Sequence, residues 1–177
     1  MILLTGGAGY IGLHTAAVLM GAGHEVVLFD NFSNSRPQAV QRLAELVGRS
    51  VQCVEGDVRS RADLDRAFGT HAIEAVVHFA GLKAVGESVA NPLRYYENNV
   101  TGTLVLLEAM AKVGVRRMVF SSSATVYGDP SSVPIRAAGP VPLGYTACCW
   151  CIMAGNWWSG GKWRRRGRRG RIKPMCE

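Results

Sequence analysis

Short apolar runs alternate along this chain with longer segments in which apolar positions recur at helical spacing. The alternation repeats five times and then stops. The runs are Ile2–Thr5, Glu25–Phe29, Val51–Glu55, Ala75–Phe79 and Arg117–Ser122, and they are rich in Val, Ile and Phe. Short runs of this composition fit strands of a parallel sheet covered on both faces. The first helical segment, Ile11–Met20, follows a glycine turn, and Gly21 or Gly23 closes it. The second, Pro37–Val47, opens on a Pro with Ser35 ahead of it as a cap. The third, Ser60–Phe68, has a Ser cap with Asp63 three positions on. The fourth and longest, Pro92–Val113, follows Asn91 and reads as one continuous helix.

Strands alternating with helices in this way predict an α/β fold, a doubly wound Rossmann-type parallel sheet. No internal repeat interrupts it. No apolar run reaches the ~20 residues needed to cross a bilayer. The N-terminus "MILLTGGAGY" carries no basic residue ahead of its apolar stretch and meets a glycine turn at once, unlike a secretory leader. The expectation is a soluble, cytoplasmic protein.

After Arg136 the pattern fails. "AAGPVPLGY" reads as loop, and "CCWCIMAGNWWSGG" has neither a 3.6-residue nor a two-residue period. "KWRRRGRRGRIKP" is low in complexity and self-repelling. The expected division is therefore a nucleotide-binding domain over 1–136 and a divergent, disordered basic tail over 137–177. Charge sharpens the division. The net charge is +7, yet residues 1–137 hold twelve basic and twelve acidic side chains, while the last forty hold eight and one. All four Trp and four of the five Cys also lie in those forty. A polyanion partner, nucleic acid included, is thus implied only for the tail and only non-specifically. With Cys53 alone in the body, a disulfide framework is not expected. Neither His14, His24, His71 and His78 nor the cluster Cys148, Cys149 and Cys151 has the paired spacing of a metal site, and no metal is expected.

Candidate chemistry begins at "TGGAGYIG", between the first strand and first helix. Gly6, Gly9 and Gly12 suit a tight turn, close approach of backbone to a pyrophosphate, and packing of the helix against the sheet. Amide N–H groups and the helix dipole then face the anion. Asp30 ends the second strand, where a carboxylate binds the ribose hydroxyls of an adenosine. Its negative charge favours NAD over NADP, since a 2′-phosphate would be repelled.

Further stretches narrow the reading: "DNFSNS", "GDV" at 56–58, "HFAGLKAVGES" at 78–88, "ENNVTGT" at 97–103 and "SSSATVYGD" at 121–129. With the glycine turn they resemble the extended short-chain dehydrogenase/reductase family, in particular its nucleotide-sugar 4-epimerases. The resemblance covers residues 1–136. It implies a bound NAD that takes a hydride from sugar C4 and returns it to the opposite face, interconverting UDP-glucose and UDP-galactose. It implies that Tyr10 and Ile11 lie beside the pyrophosphate. Asp30, Asn31, Asn34 and Ser35 would hold the adenosine ribose, and Asp57 and Val58 would frame the adenine. Phe79, Ala80, Gly81 and Lys83 would line the nicotinamide side, with Lys83 also near substrate. Asn98 would fix the long helix, and Ser123 would hydrogen-bond the sugar 4-hydroxyl. Intact members are expected to be homodimers. A related group, the nucleotide-sugar 4,6-dehydratases, carries an Asp-Glu pair after that Ser; here Ala124 and Thr125 follow it.

The family's catalytic base is the Tyr of a Tyr-x-x-x-Lys pair, whose members share one helix face. Tyr145 stands near the place, but Cys149 occupies the Lys position and the next Lys is Lys162. The family's substrate domain is expected to be absent. The change after Arg136 resembles translation in a shifted reading frame, so a truncated, catalytically impaired epimerase is expected. A non-catalytic NAD-binding fragment, or a relative of the nucleotide-sugar 4,6-dehydratases, is the alternative.

Overall fold

Each apolar run becomes a strand in the computed structural model, which describes residues 1–122. The strands are β1 (Ile2–Thr5), β2 (Val26–Asp30), β3 (Gln52–Glu55), β4 (Ala75–His78) and β5 (Arg117–Phe120). Helices α1 (Tyr10–Gly21), α2 (Pro37–Val47), α3 (Arg61–Thr70) and α6 (Gly102–Val113) connect them, with two short helices, α4 (Val85–Ala90) and α5 (Pro92–Tyr96), before α6. All pairings are parallel, and the order is β3-β2-β1-β4-β5. This is the doubly wound Rossmann-type sheet that the alternation predicts.

The register explains the two cores. Leu3 lies opposite Val27 and Val76, and Leu4 opposite Leu28 and Val77. Successive side chains point to opposite faces. Leu3, Val27 and Val76 therefore join Leu64 and Phe68 of α3 and Leu106 and Met110 of α6. Leu4 and Leu28 join Ala16 and Met20 of α1 and Leu43 of α2. Burying each of the larger side chains stabilises the fold by about 1.5–3 kcal/mol. On the outside of the α3–α6 layer, Arg61 pairs with Glu108, and Lys112 with Asp65 at 2.8 Å. These pairs are largely exposed, so each adds at most ~1 kcal/mol.

Of three local expectations, two change and one holds. Ser35 does not cap α2: the residue ahead of the helix is Arg36, with no side-chain cap bond, and the Ser35 hydroxyl is drawn instead to Asp30. Ser60 does cap α3, accepting from the Asp63 N–H at 3.3 Å. The segment Pro92–Val113 is not one regular helix. A π-helical turn, Glu97–Thr101, separates α5 from α6, and Gly102 N–H donates to the Glu97 carbonyl five residues back. Periodicity did not show this wider turn because its cause is tertiary. It directs Asn98 and Asn99 toward the loop after β4, and it seats Gly102 against Val58, where a Cβ would come within 2.9 Å.

Candidate functional site

In an open parallel sheet the loops at the C-terminal ends of the strands meet where the strand order reverses. Here that point lies between β1 and β4. Gly6 leaves β1 with φ +67, the left-handed region that disfavours side chains. A Cβ on it would lie 2.7 Å from Ala80 N and 2.8 Å from the Phe79 carbonyl carbon. The β1 and β4 loops thus touch through backbone. Gly12 brings α1 equally close to the turn, since a Cβ there would reach the Gly6 carbonyl oxygen at 2.6 Å. α1 starts at this turn with no capping side chain and no acid in its first turn. Its unpaired N–H groups and dipole favour an anion there.

The Asp30 carboxylate is almost wholly buried and organises the next loop. One oxygen accepts from Ala8 N–H in the glycine turn at 2.9 Å. The other accepts from Phe32 N–H and from the Ser35 hydroxyl, each at 2.9 Å. Phe32 adopts φ 54, uncommon for a bulky residue. Asn31 Nδ2 donates to Asp57 at 3.1 Å, linking the β2 loop to the β3 loop. Arg59 grips the same carboxylate through Nε at 3.0 Å and Nη2 at 2.7 Å. Hydrogen bonding from Arg59 is the chief cause that lowers the Asp57 pKa to about 2, against a desolvation penalty that would raise it.

On the opposite wall, Phe79, Ala80, Gly81 and Leu82 follow β4. Asn98 Nδ2 donates to the Ala80 carbonyl at 3.3 Å. Asn99 takes both backbone groups of Leu82: its Oδ1 accepts from Leu82 N–H at 2.8 Å, and its Nδ2 donates to Leu82 O at 2.9 Å. Beneath this wall runs a buried polar chain. Thr103 Oγ1 donates its proton to Asn99 O at 2.6 Å, so it accepts from His78 Nε2–H at 3.1 Å. His78 Nδ1 is then the lone-pair nitrogen, and Thr5 Oγ1 donates to it at 2.6 Å. Burial, then the charge of Lys83, pushes His78 down to about 4, so the ring is neutral at neutral pH.

These walls enclose one cavity. Of the residues singled out from the sequence, Gly6, Gly9, Asp30, Asn31, Asn34, Ser35, Val58, Phe79, Ala80, Gly81 and Asn98 line it. Tyr10 and Ile11 stand exposed at the start of α1 without lining it, Gly12 is buried behind the turn, and Lys83 is exposed and does not line it, although its Cε lies 3.7 Å from where a Cβ of Gly81 would be. Asp57 lies beside the cavity with its carboxylate turned to Arg59 and Asn31. Phe29, Ser33, Gly56 and Leu82 line it without having been singled out. The supporting layer of His78, Asn99 and Thr103 was not singled out either, although "HFAGLKAVGES" opens on the first and "ENNVTGT" contains the other two. Ser123, Tyr145 and the tail over 137–177 lie outside the described residues.

The fold and the cavity define a doubly wound α/β nucleotide-binding type of domain, with glycine turn, acid and asparagine-bearing helix meeting at the β1/β4 switch. A model of the NAD dependent epimerase/dehydratase family matches residues 2–146, and the chain belongs to that family. UDP-glucose 4-epimerase of Bacillus subtilis is 55% identical over 145 residues, which are 82% of this chain and 42% of that protein. The Klebsiella pneumoniae sequence of the same name is 55% identical over 133 residues, 75% of this chain and 96% of that sequence. Among solved structures, UDP-glucose 4-epimerase from Bifidobacterium longum in complex with NAD+ and UDP matches at TM-score 0.78 and 45% identity, over 86% of this chain and 47% of that one. The enzyme from Stenotrophomonas maltophila, with bound NAD and formylated UDP-arabinopyranose, matches at TM-score 0.79 and 39% identity. The chain thus spans about two fifths to a half of the length of these relatives, the Klebsiella sequence apart.

Proposed function

We propose that residues 1–136 form an NAD-binding domain of UDP-glucose 4-epimerase type, and that the chain as it stands binds NAD but is catalytically impaired. One observation carries the cofactor reading: Asp30 is tied to the glycine turn through Ala8 and faces the same cavity as that turn. The residues present suit the group. The open space at Gly9, where a Cβ would meet only the Gly6 carbonyl oxygen at 3.3 Å, leaves the backbone free for close approach, and the uncapped first turn of α1 beside it suits a pyrophosphate. Asp30, with Asn31, Asn34 and Ser35 beside it, supplies acceptors for ribose hydroxyls and repels a 2′-phosphate. Asp57 and Val58 border the adenine end; Phe79, Ala80, Gly81, Lys83 and Asn98 border the nicotinamide end. NAD, when bound, accepts and returns the C4 hydride of a UDP-sugar. Ser123 and Lys83 are the substrate-side candidates.

Impairment rests on composition: Tyr145 is followed four positions later by Cys149 rather than Lys. The family's tyrosine base is paired with a Lys four positions on, and the sequence after Tyr145 supplies none before Lys162. The segment after Arg136 is consistent with a shifted reading frame, and a gene whose alternate frame fails to restore a Tyr-x-x-x-Lys segment would refute that origin. Cytoplasmic location and homodimerisation of the intact protein complete the proposal; no described helix is long and apolar enough to cross a membrane.

The test is to purify the chain and measure bound NAD together with conversion of UDP-galactose to UDP-glucose. Bound NAD without conversion is the expected result. Conversion that Tyr145→Phe abolishes would overturn the impairment, and absence of NAD binding would overturn the cofactor reading.

A further inference from the structure

The buried chain beneath the β4 wall is not used by the reading above. It has a direction: Thr5 donates to His78, His78 to Thr103, and Thr103 to the Asn99 carbonyl. Thr5 and Thr103 are fully buried and His78 is 4% exposed, so water does not substitute for any link. The chain spans the end of β1, the end of β4 and the start of α6, and it terminates at the π-helical turn.

Asn99 converts that anchorage into a hold on the cavity wall. Its amide meets Leu82 as a neighbouring strand would, taking both the N–H and the carbonyl. The amide cannot be reversed. Oδ1 faces two donors, Leu82 N–H and Asn98 Nδ2, whereas Nδ2 faces a carbonyl. Asn99 does not line the cavity, but its Oδ1 stands 3.8 Å from where a Cβ of Gly81 would be, directly behind the wall.

We infer that Asn99 is a positioning residue: held by the Thr5–His78–Thr103 chain, it sets the backbone of residues 80–82 against which the nicotinamide half of NAD lies. The inference rests on the NAD reading of the cavity. It assigns no contact between Asn99 and the cofactor. It predicts a selective effect, because the adenosine end is built separately by Asp30, Asn31 and Asp57.

The test is titration of the full chain with NAD and with ADP, which lacks the nicotinamide half, in wild type, Asn99→Ala, Thr103→Val and Thr103→Ser. In Asn99→Ala and Thr103→Val, NAD affinity falls about tenfold while ADP affinity stays within about twofold of wild type. Thr103→Ser keeps the hydroxyl and restores NAD affinity to within about threefold of wild type. Wild-type NAD affinity in Asn99→Ala, or equal loss of ADP and NAD in both Asn99→Ala and Thr103→Val, would overturn the positioning role. A wild-type chain that binds neither ligand would instead overturn the cofactor reading, whatever the variants do.

Discussion

At the scale of single residues, the site depends on buried polar groups that are fully partnered. Asp30 receives three donors from two loops. Replacing it with Asn puts an amide N–H against one of those donors. The expected outcome for Asp30→Asn is a roughly tenfold weaker NAD titration and a smaller preference for NAD over NADP. His78 and Asp57 predict how the protein responds to acid. The folded pKa of His78 is depressed from 6.5 to about 4, so the unfolded chain binds the proton more readily. Its contribution is therefore present above pH 6.5 and lost as the pH falls toward 4, about 3 kcal/mol in all. Asp57, depressed from 3.8 to about 2, has its contribution fully present above 3.8 and lost as the pH falls toward 2. Chemical denaturation at a series of pH values should show stability declining through the first window, and His78→Gln should flatten that decline. Cys53 is a third case. Burial first, then Asp30 and Glu55, push its thiol up to about 11. Mass-mapped alkylation at pH 8 should therefore find Cys53 slow to react.

At the scale of elements, β1 and β2 were legible in the sequence because burial on both faces leaves runs without polar gaps; the partly exposed β3 and β5 keep Gln52, Glu55 and Arg117 and were legible from their β-branched and aromatic residues. β1 and α2 fall where the pattern places them, and the remaining strand ends shift by a residue or two. What the pattern hid was the division of Pro92–Val113. A π turn costs little in local apolar periodicity, and its reason, the anchoring of the 80–82 loop by Asn98 and Asn99, lies about twenty positions earlier in the chain. Ser35 shows the same limit: a Ser ahead of a Pro reads as a cap whose oxygen accepts from the helix, but the Ser35 side chain turns to donate to the buried Asp30 carboxylate. One of the tightest junctions between elements is Gly6 against the β4 loop. Gly6→Ala would strain a φ of +67 and bring Cβ to 2.7 Å from backbone. It should destabilise the domain by about 3 kcal/mol or more and abolish NAD binding, as read by thermal melts and titration.

At the scale of the whole molecule, an exposed side chain on β5 and the charge of the C-terminal sequence each predict behaviour in solution. Val119 on β5 is 62% exposed, on the same face as Val77 of β4. Sedimentation of the full chain should show association, and Val119→Lys should reduce it. All eight basic residues of the last forty lie in Lys162–Lys173. Deleting residues 160–177 should remove a steeply salt-dependent affinity for single-stranded nucleic acid and leave NAD binding unchanged. Salt-independent binding, or its survival in the deletion, would show that the tail does not carry it.

The sequence by itself determined the fold class, the strand–helix order, and the place of the glycine turn and Asp30. Each of these is a local matter: hydrophobic period, glycine spacing, an acid at a strand end. Only the tertiary structure decided which polar residues support the site. Thr5, His78, Asn99 and Thr103 come from three separate stretches of the chain, and they become one hydrogen-bonded unit because parallel β1 and β4 are neighbours and α6 crosses behind them. A buried donor or acceptor must find its partner in space, and spacing along a chain does not record which partner that is.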